Sequence, residues 1–128
     1  AGKLLDQLLA SIQLSRRDVF IGNTVKCRPP NNRAPTTQEL ESCKPYLIAQ
    51  IAWLQPKIIC ILGNSALNSL IGPQTSISKV RGQILQIDGM VYLPTYHPAA
   101  ALYRREIYSV LENDFKILQK WLKEKKKI

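Results

Sequence analysis

The chain has one histidine, His97, at the end of the run Leu93-Pro-Thr-Tyr-His-Pro, directly after a segment that reads as a strand. An imidazole there can give up a proton, donate a hydrogen bond or bind a metal, or it can simply hydrogen-bond within its loop. Pro98 stiffens the position, and rigid strand ends are where α/β proteins place working side chains. Asn23 presents a carbonyl and an amide together. That pair matches the donor and acceptor on a nucleobase edge, and it also suits a plain turn. Cys27 and Cys43 have fifteen residues between them. Thiolates hold iron–sulfur clusters, but two cannot complete a four-thiolate site, so the pair is either part of such a site or two unrelated thiols. Cys60 lies inside the apolar run 58–62 and reads as a small buried residue. Leu102-Tyr103-Arg104-Arg105 sets an apolar, aromatic tip beside two guanidinium groups. Apolar wedges flanked by cations open base stacks, although the same residues would serve a solvated helix start.

The elements that must hold these groups follow from hydrophobic spacing. Leu4, Leu5, Leu8, Leu9 and Ile12 recur at helical intervals and predict a helix over 2–13. Residues 18–22 fit a short strand running toward Asn23, and 24–36 form an irregular loop rich in Arg, Pro and Asn. Thr36 and Glu39 make a capping box, which starts a helix with Leu40, Leu47, Ile51 and Leu54 on its buried stripe and Pro56 at its end. The run Ile-Ile-Cys-Ile-Leu at 58–62 is typical of a central parallel strand covered on both faces. Gly63-Asn64-Ser65 leads into a short helix to about residue 71, and a polar loop with Lys79 and Arg81 spans 74–82. Residues 83–87 and 90–94 flank Asp88-Gly89, a strong hairpin signal. The last helix runs over 106–123 with Ile107, Val110, Leu111, Leu118 and Leu122 on one side. Helix, strand, helix, strand, helix, hairpin and helix predict a single three-layer α/β/α domain over 1–128 with a central, mostly parallel sheet. Ligands of such sheets gather outside the strands' carboxyl ends, where Asn23, Asn64, Ser65 and His97 all fall.

Charge narrows the partner. Eighteen basic residues against nine acidic ones give a formal net charge of +9, which favours a polyanion, nucleic acid before membrane. Lys123, Lys125, Lys126 and Lys127 account for part of the excess as a basic tail, whereas Lys79, Arg81, Arg104 and Arg105 lie in predicted loops. No apolar run reaches the ~20 residues that would cross a bilayer. The odd count of three cysteines argues against a secreted disulfide scaffold and for a cytoplasmic setting. The chain opens inside a helical pattern and reads as cut from something longer.

In this order, Asn23-Thr-Val-Lys-Cys-Arg-Pro-Pro-Asn-Asn-Arg33, the spacing of Cys27 and Cys43, Ser76-Ile-Ser-Lys-Val-Arg-Gly82 and Leu93-Pro-Thr-Tyr-His-Pro-Ala99 resemble the family 4, iron–sulfur uracil-DNA glycosylases. The resemblance runs from Ala1 to the last helix. It implies a uracil-DNA glycosylase-like fold and hydrolysis of the N-glycosidic bond of uracil in single- or double-stranded DNA, as base excision repair by a monomer. By the same resemblance, Asn23 reads the uracil edge, and His97 reaches uracil O2 and stabilises the departing anion. Cys27 and Cys43 are two of four ligands of a structural 4Fe–4S cluster. The segment Leu102, Tyr103 and Arg104 enters the duplex, Lys79 and Arg81 lie near the DNA backbone, and Asn64 and Ser65 offer a phosphate contact. The chain departs from the family pattern in lacking its Gly-Glu-Ala-Pro-Gly type motif, its uracil-stacking aromatic, its first two cluster cysteines and the first strand. The competing reading is a non-catalytic DNA-binding or polymerase-associated domain of the same fold.

Overall fold

The computed structural model of the chain describes residues 2–22 and 37–126. The elements in chain order are α1 (Gly2–Ser11), α2 (Thr37–Leu54), β1 (Ile59–Leu62), α3 (Asn64–Leu70), α4 (Ile77–Val80), β2 (Leu85–Ile87), β3 (Met90–Thr95), α5 (Ala100–Tyr103) and α6 (Glu106–Lys126). The described strands form one sheet in the order β1-β3-β2. β1 pairs parallel with β3, with Ile59 opposite Tyr92 and Leu62 opposite Thr95. β2 pairs antiparallel with β3, so the expected mostly parallel sheet is parallel in its β1–β3 half only. The hairpin turn is the one its sequence dictates. Asp88 and Gly89 take φ of 51° and 81°, the two positive values that a two-residue turn needs to follow strand twist.

Helices cover both faces of this sheet. On one face Leu8, Leu9 and Ile12 from the α1 region pack with Leu93 of β3 and with Ile107, Leu111, Phe115 and Leu118 of α6. On the other, Ile61 of β1 packs with Leu67 of α3 and Ile77 of α4, joined by Ile59 and Tyr92. Adjacent residues of β3, Tyr92 and Leu93, thus serve opposite faces, as strand geometry requires. Leu8, Leu67, Leu93 and Leu111 are fully buried, each worth roughly 1.5–3 kcal/mol relative to an exposed side chain. This is the three-layer α/β/α arrangement the order of elements implies.

Three local expectations change. Residues 18–22 do not form a strand. Asp18 instead closes a turn: its carboxylate accepts the Ser15 N–H at 2.9 Å and its own N–H donates to the Ser15 carbonyl at 2.9 Å. Phe20 and Ile21 remain 58% and 41% exposed, with no described strand beside them. The polar loop 74–82 contains a helical turn, α4, because the Asn64 side-chain oxygen accepts the Ile77 N–H at 2.8 Å and holds its first residue. A second short helix, α5, follows His97. α2 ends at Leu54, just ahead of the predicted stop at Pro56, and accommodates Pro45 within its length. The Thr36 half of its capping box lies outside the described residues.

Candidate active site and nucleic-acid interface

The parallel pairing of β1 and β3 sets their carboxyl ends side by side, and the Gly63 N–H donates to the Thr95 carbonyl at 2.9 Å to close the pair. Gly63 takes φ 89° and ψ 173°, a conformation that is essentially glycine's alone. A Cβ there would stand 3.1 Å from His97 Cβ. The glycine therefore both turns the chain from β1 into α3 and makes the floor on which His97 sits. Gly63→Ala is expected to lower stability by about 1–3 kcal/mol and to displace His97. Denaturant unfolding and the turnover assay below check the two effects.

His97 is exposed at the rim of this junction. Its Nδ1 accepts the Ala99 N–H at 3.0 Å, and its carbonyl accepts the Ala100 N–H at 2.9 Å, which starts α5. An imidazole nitrogen that accepts a hydrogen bond carries no proton. In the neutral ring the proton then sits on Nε2, the only remaining donor. Partial desolvation pulls the His97 pKa below the ordinary histidine value, which keeps the ring in this neutral form at neutral pH.

The sequence candidates for DNA contact lie on or beside α3, α4 and α5. Asn64 opens α3 and binds α4 through the Ile77 N–H. Ser65 follows at the same helix start and is half-buried. Lys79, on α4, is exposed. Leu102 and Tyr103, at the end of α5, are 64% and 88% exposed, an unsupported apolar tip within six residues of the imidazole. Arg104 is exposed beside them and pairs with Glu106 at 2.9 Å. Arg81 is placed differently from a free surface cation. Its Nε donates to Asp114 Oδ2 at 3.0 Å and its Nη2 donates to Asp114 Oδ1. Asp114 was not singled out in the sequence, although it stands seven residues after Ile107 and four before Leu118, on the buried face of α6. A carboxylate at a core position of a helical stripe is the signal that would have found it.

Asn23 and Cys27 lie outside the described residues, and Cys43 falls within α2. Among the described residues no group of three histidine, cysteine or acidic side chains stands close enough to hold a metal ion. The cysteines in question number two of the four thiolates such a cluster uses, so the described residues do not by themselves build its site. Cys60 adds nothing to it. Desolvation first and the Asp114 carboxylate second push its thiol up to about 12, which keeps it protonated and inert. No helix among the described residues is long and apolar enough to cross a membrane.

The fold and the site define an α/β domain that presents a neutral imidazole donor, a polar helix start, a cationic loop and an apolar tip at the carboxyl ends of parallel strands. The sequence model of the uracil DNA glycosylase superfamily matches residues 1–124, and the chain belongs to that superfamily. It is 48% identical to a type-4 uracil-DNA glycosylase of Saccharolobus solfataricus over 98% of this chain and 62% of that protein. It is 43% identical to the type-4 enzyme of Archaeoglobus fulgidus over 91% of this chain and 62% of the relative. A DNA polymerase of Bacillus phage SP01 is 35% identical over 98% of this chain, which corresponds to 14% of the polymerase. The chain thus spans about three fifths of the length of these glycosylases.

Proposed function

We propose that the protein carrying this chain hydrolyses the N-glycosidic bond of uracil in DNA, as an intracellular, monomeric repair glycosylase. The observation that carries this reading is the tautomer of His97: the Ala99 N–H occupies Nδ1 and leaves Nε2–H as a donor at the exposed strand end. Breaking the bond between C1′ and N1 leaves negative charge on the base, largely on its oxygens, while water supplies the new bond to C1′. A donor aimed at O2 is then stronger in the transition state than in the ground state, which is the condition for catalysis. Asn23 would accept from N3–H and donate to O4, a pattern that excludes cytosine.

Extraction of the nucleotide costs a few kcal/mol. Leu102 and Tyr103 would fill the space it leaves, while Arg104, Lys79 and the Asn64-Ser65 helix start hold phosphates. Arg81 would act near the backbone by fixing the α4 loop through Asp114. Cys27 and Cys43 would supply two ligands of a structural 4Fe–4S cluster. In the full-length protein we expect about four irons per chain, lowered in Cys43→Ala, as measured by metal analysis.

The test is release of free uracil by the full-length protein from a U:G duplex, with the matching C:G duplex as control. Release from the first only is expected, and none from either would end the reading. The match to a stretch of a phage polymerase favours a second reading, a polymerase-associated domain that binds DNA without cutting it. Salt-sensitive DNA binding by a full-length protein that releases no uracil would select it.

A further inference from the structure

The described residues hold one fully buried carboxylate, and every hydrogen bond it accepts comes from the end of α4 or from Thr95, two residues before His97. Asp114 is 0% exposed. It accepts two bonds from the Arg81 guanidinium, at the end of α4, and one from Thr95 Oγ1 at 2.5 Å. Thr95 is itself fully buried and stands two residues before His97. Its carbonyl accepts the Gly63 N–H that closes the floor under the imidazole. Gly82 completes the link: its N–H donates to the Pro94 carbonyl at 2.9 Å, and a Cβ there would meet Asp114 Oδ1 at 2.8 Å. The α4 loop is thus fixed at its start by Asn64 and at its end by Asp114.

A buried ion pair is poor evidence of added stability, because apolar side chains of similar volume often serve as well. What this pair supplies is geometry. One carboxylate sets the height of the β3 end and of the cationic loop relative to the same helix.

We propose that Asp114 is a positioning residue of the His97 site, holding the strand end that carries the imidazole and the α4 loop in a single register through Thr95 and Arg81. The rate arm of this inference rests on the glycosylase reading. A misplacement of about 1 Å can cost two orders of magnitude in rate, so even a small release of this register is readable in turnover.

The experiment uses the full-length protein with Thr95→Val, Thr95→Ser and Asp114→Asn. Thr95→Val keeps the side-chain shape and the Arg81–Asp114 pair, so it remains informative where Asp114→Asn fails to fold. Thr95→Val is expected to slow single-turnover uracil release roughly 10- to 100-fold with DNA affinity unchanged, and Thr95→Ser to restore the rate. Hydrogen exchange of the Ala99 amide, which donates to His97 Nδ1, should quicken in Thr95→Val while the amides of Leu111 and Phe115 keep their protection. A wild-type rate in Thr95→Val, equal losses of rate and affinity, no rescue by Thr95→Ser, or uniform acceleration of exchange would overturn the proposal. If the wild-type protein releases no uracil, the glycosylase reading falls and the Ala99 exchange alone decides the positioning role.

Discussion

His97→Ala in the full-length protein is expected to slow uracil release about 100- to 1,000-fold while leaving DNA affinity nearly unchanged. The split follows from what the imidazole does. On the proposed reading its Nε2–H would meet an oxygen that becomes strongly negative only as the glycosidic bond breaks, so its loss would raise the barrier without weakening the ground-state complex. Single-turnover kinetics beside equilibrium binding separate the two quantities, and equal losses in both would make His97 a binding residue. The pH dependence has a defined sign. Nδ1 is held by the Ala99 N–H and the pKa lies below the ordinary histidine value, first through desolvation. Stability contributed by this neutral ring is therefore present above the ordinary value and lost as pH falls through the lowered one. Turnover should hold level down to the ordinary value of about 6.5 and decline only below it.

Arg81→Met is expected to destabilise the fold by about 3–5 kcal/mol, and Asp114→Asn by less, despite removing the same ion pair. The asymmetry comes from burial. Removing Arg81 leaves the Asp114 carboxylate, which is 0% exposed, without its cation, whereas the Arg81 side chain is 32% exposed and can turn to water when its partner loses its charge. An asparagine at 114 also still accepts the Thr95 hydroxyl. Urea unfolding of the two variants checks the order. Equal losses would mean that the pair contributes only its packing.

Much of the scaffold could be read directly from residue pattern. The run 58–62 is apolar without interruption because β1 is covered on both faces, and the Asp88-Gly89 pair adopts the backbone its sequence favours. The stripe through Ile107, Leu111 and Leu118 marks α6, which runs to Lys126, three residues beyond the predicted end. What was not legible depends on contacts distant in sequence. The α4 turn exists because Asn64 reaches Ile77 thirteen residues away, and no propensity over 74–82 announces that bond. Residues 18–22 carry a strand's composition, but Asp18 spends its carboxylate on the Ser15 turn. The α6 stripe shows an acid at core position Asp114, but not its partners, because Arg81 and Thr95 lie 33 and 19 residues away in the chain.

The candidate site divides in the same way. His97 and the exposed Leu102-Tyr103 tip were recognisable from residue type and position, and the short helix α5 joins them. The floor supplied by Gly63 and the proton state of His97 are properties of three-dimensional contact. They convert a lone histidine into a donor with a direction.

The most direct measurement is the tautomer of His97 in the full-length protein, read from the nitrogen chemical shifts of its imidazole at pH 7.5. An unprotonated Nδ1 and a proton on Nε2 are expected, unchanged on acidification to about pH 6.5. A proton on Nδ1, or an imidazolium at pH 7.5, would contradict the donor role proposed for His97.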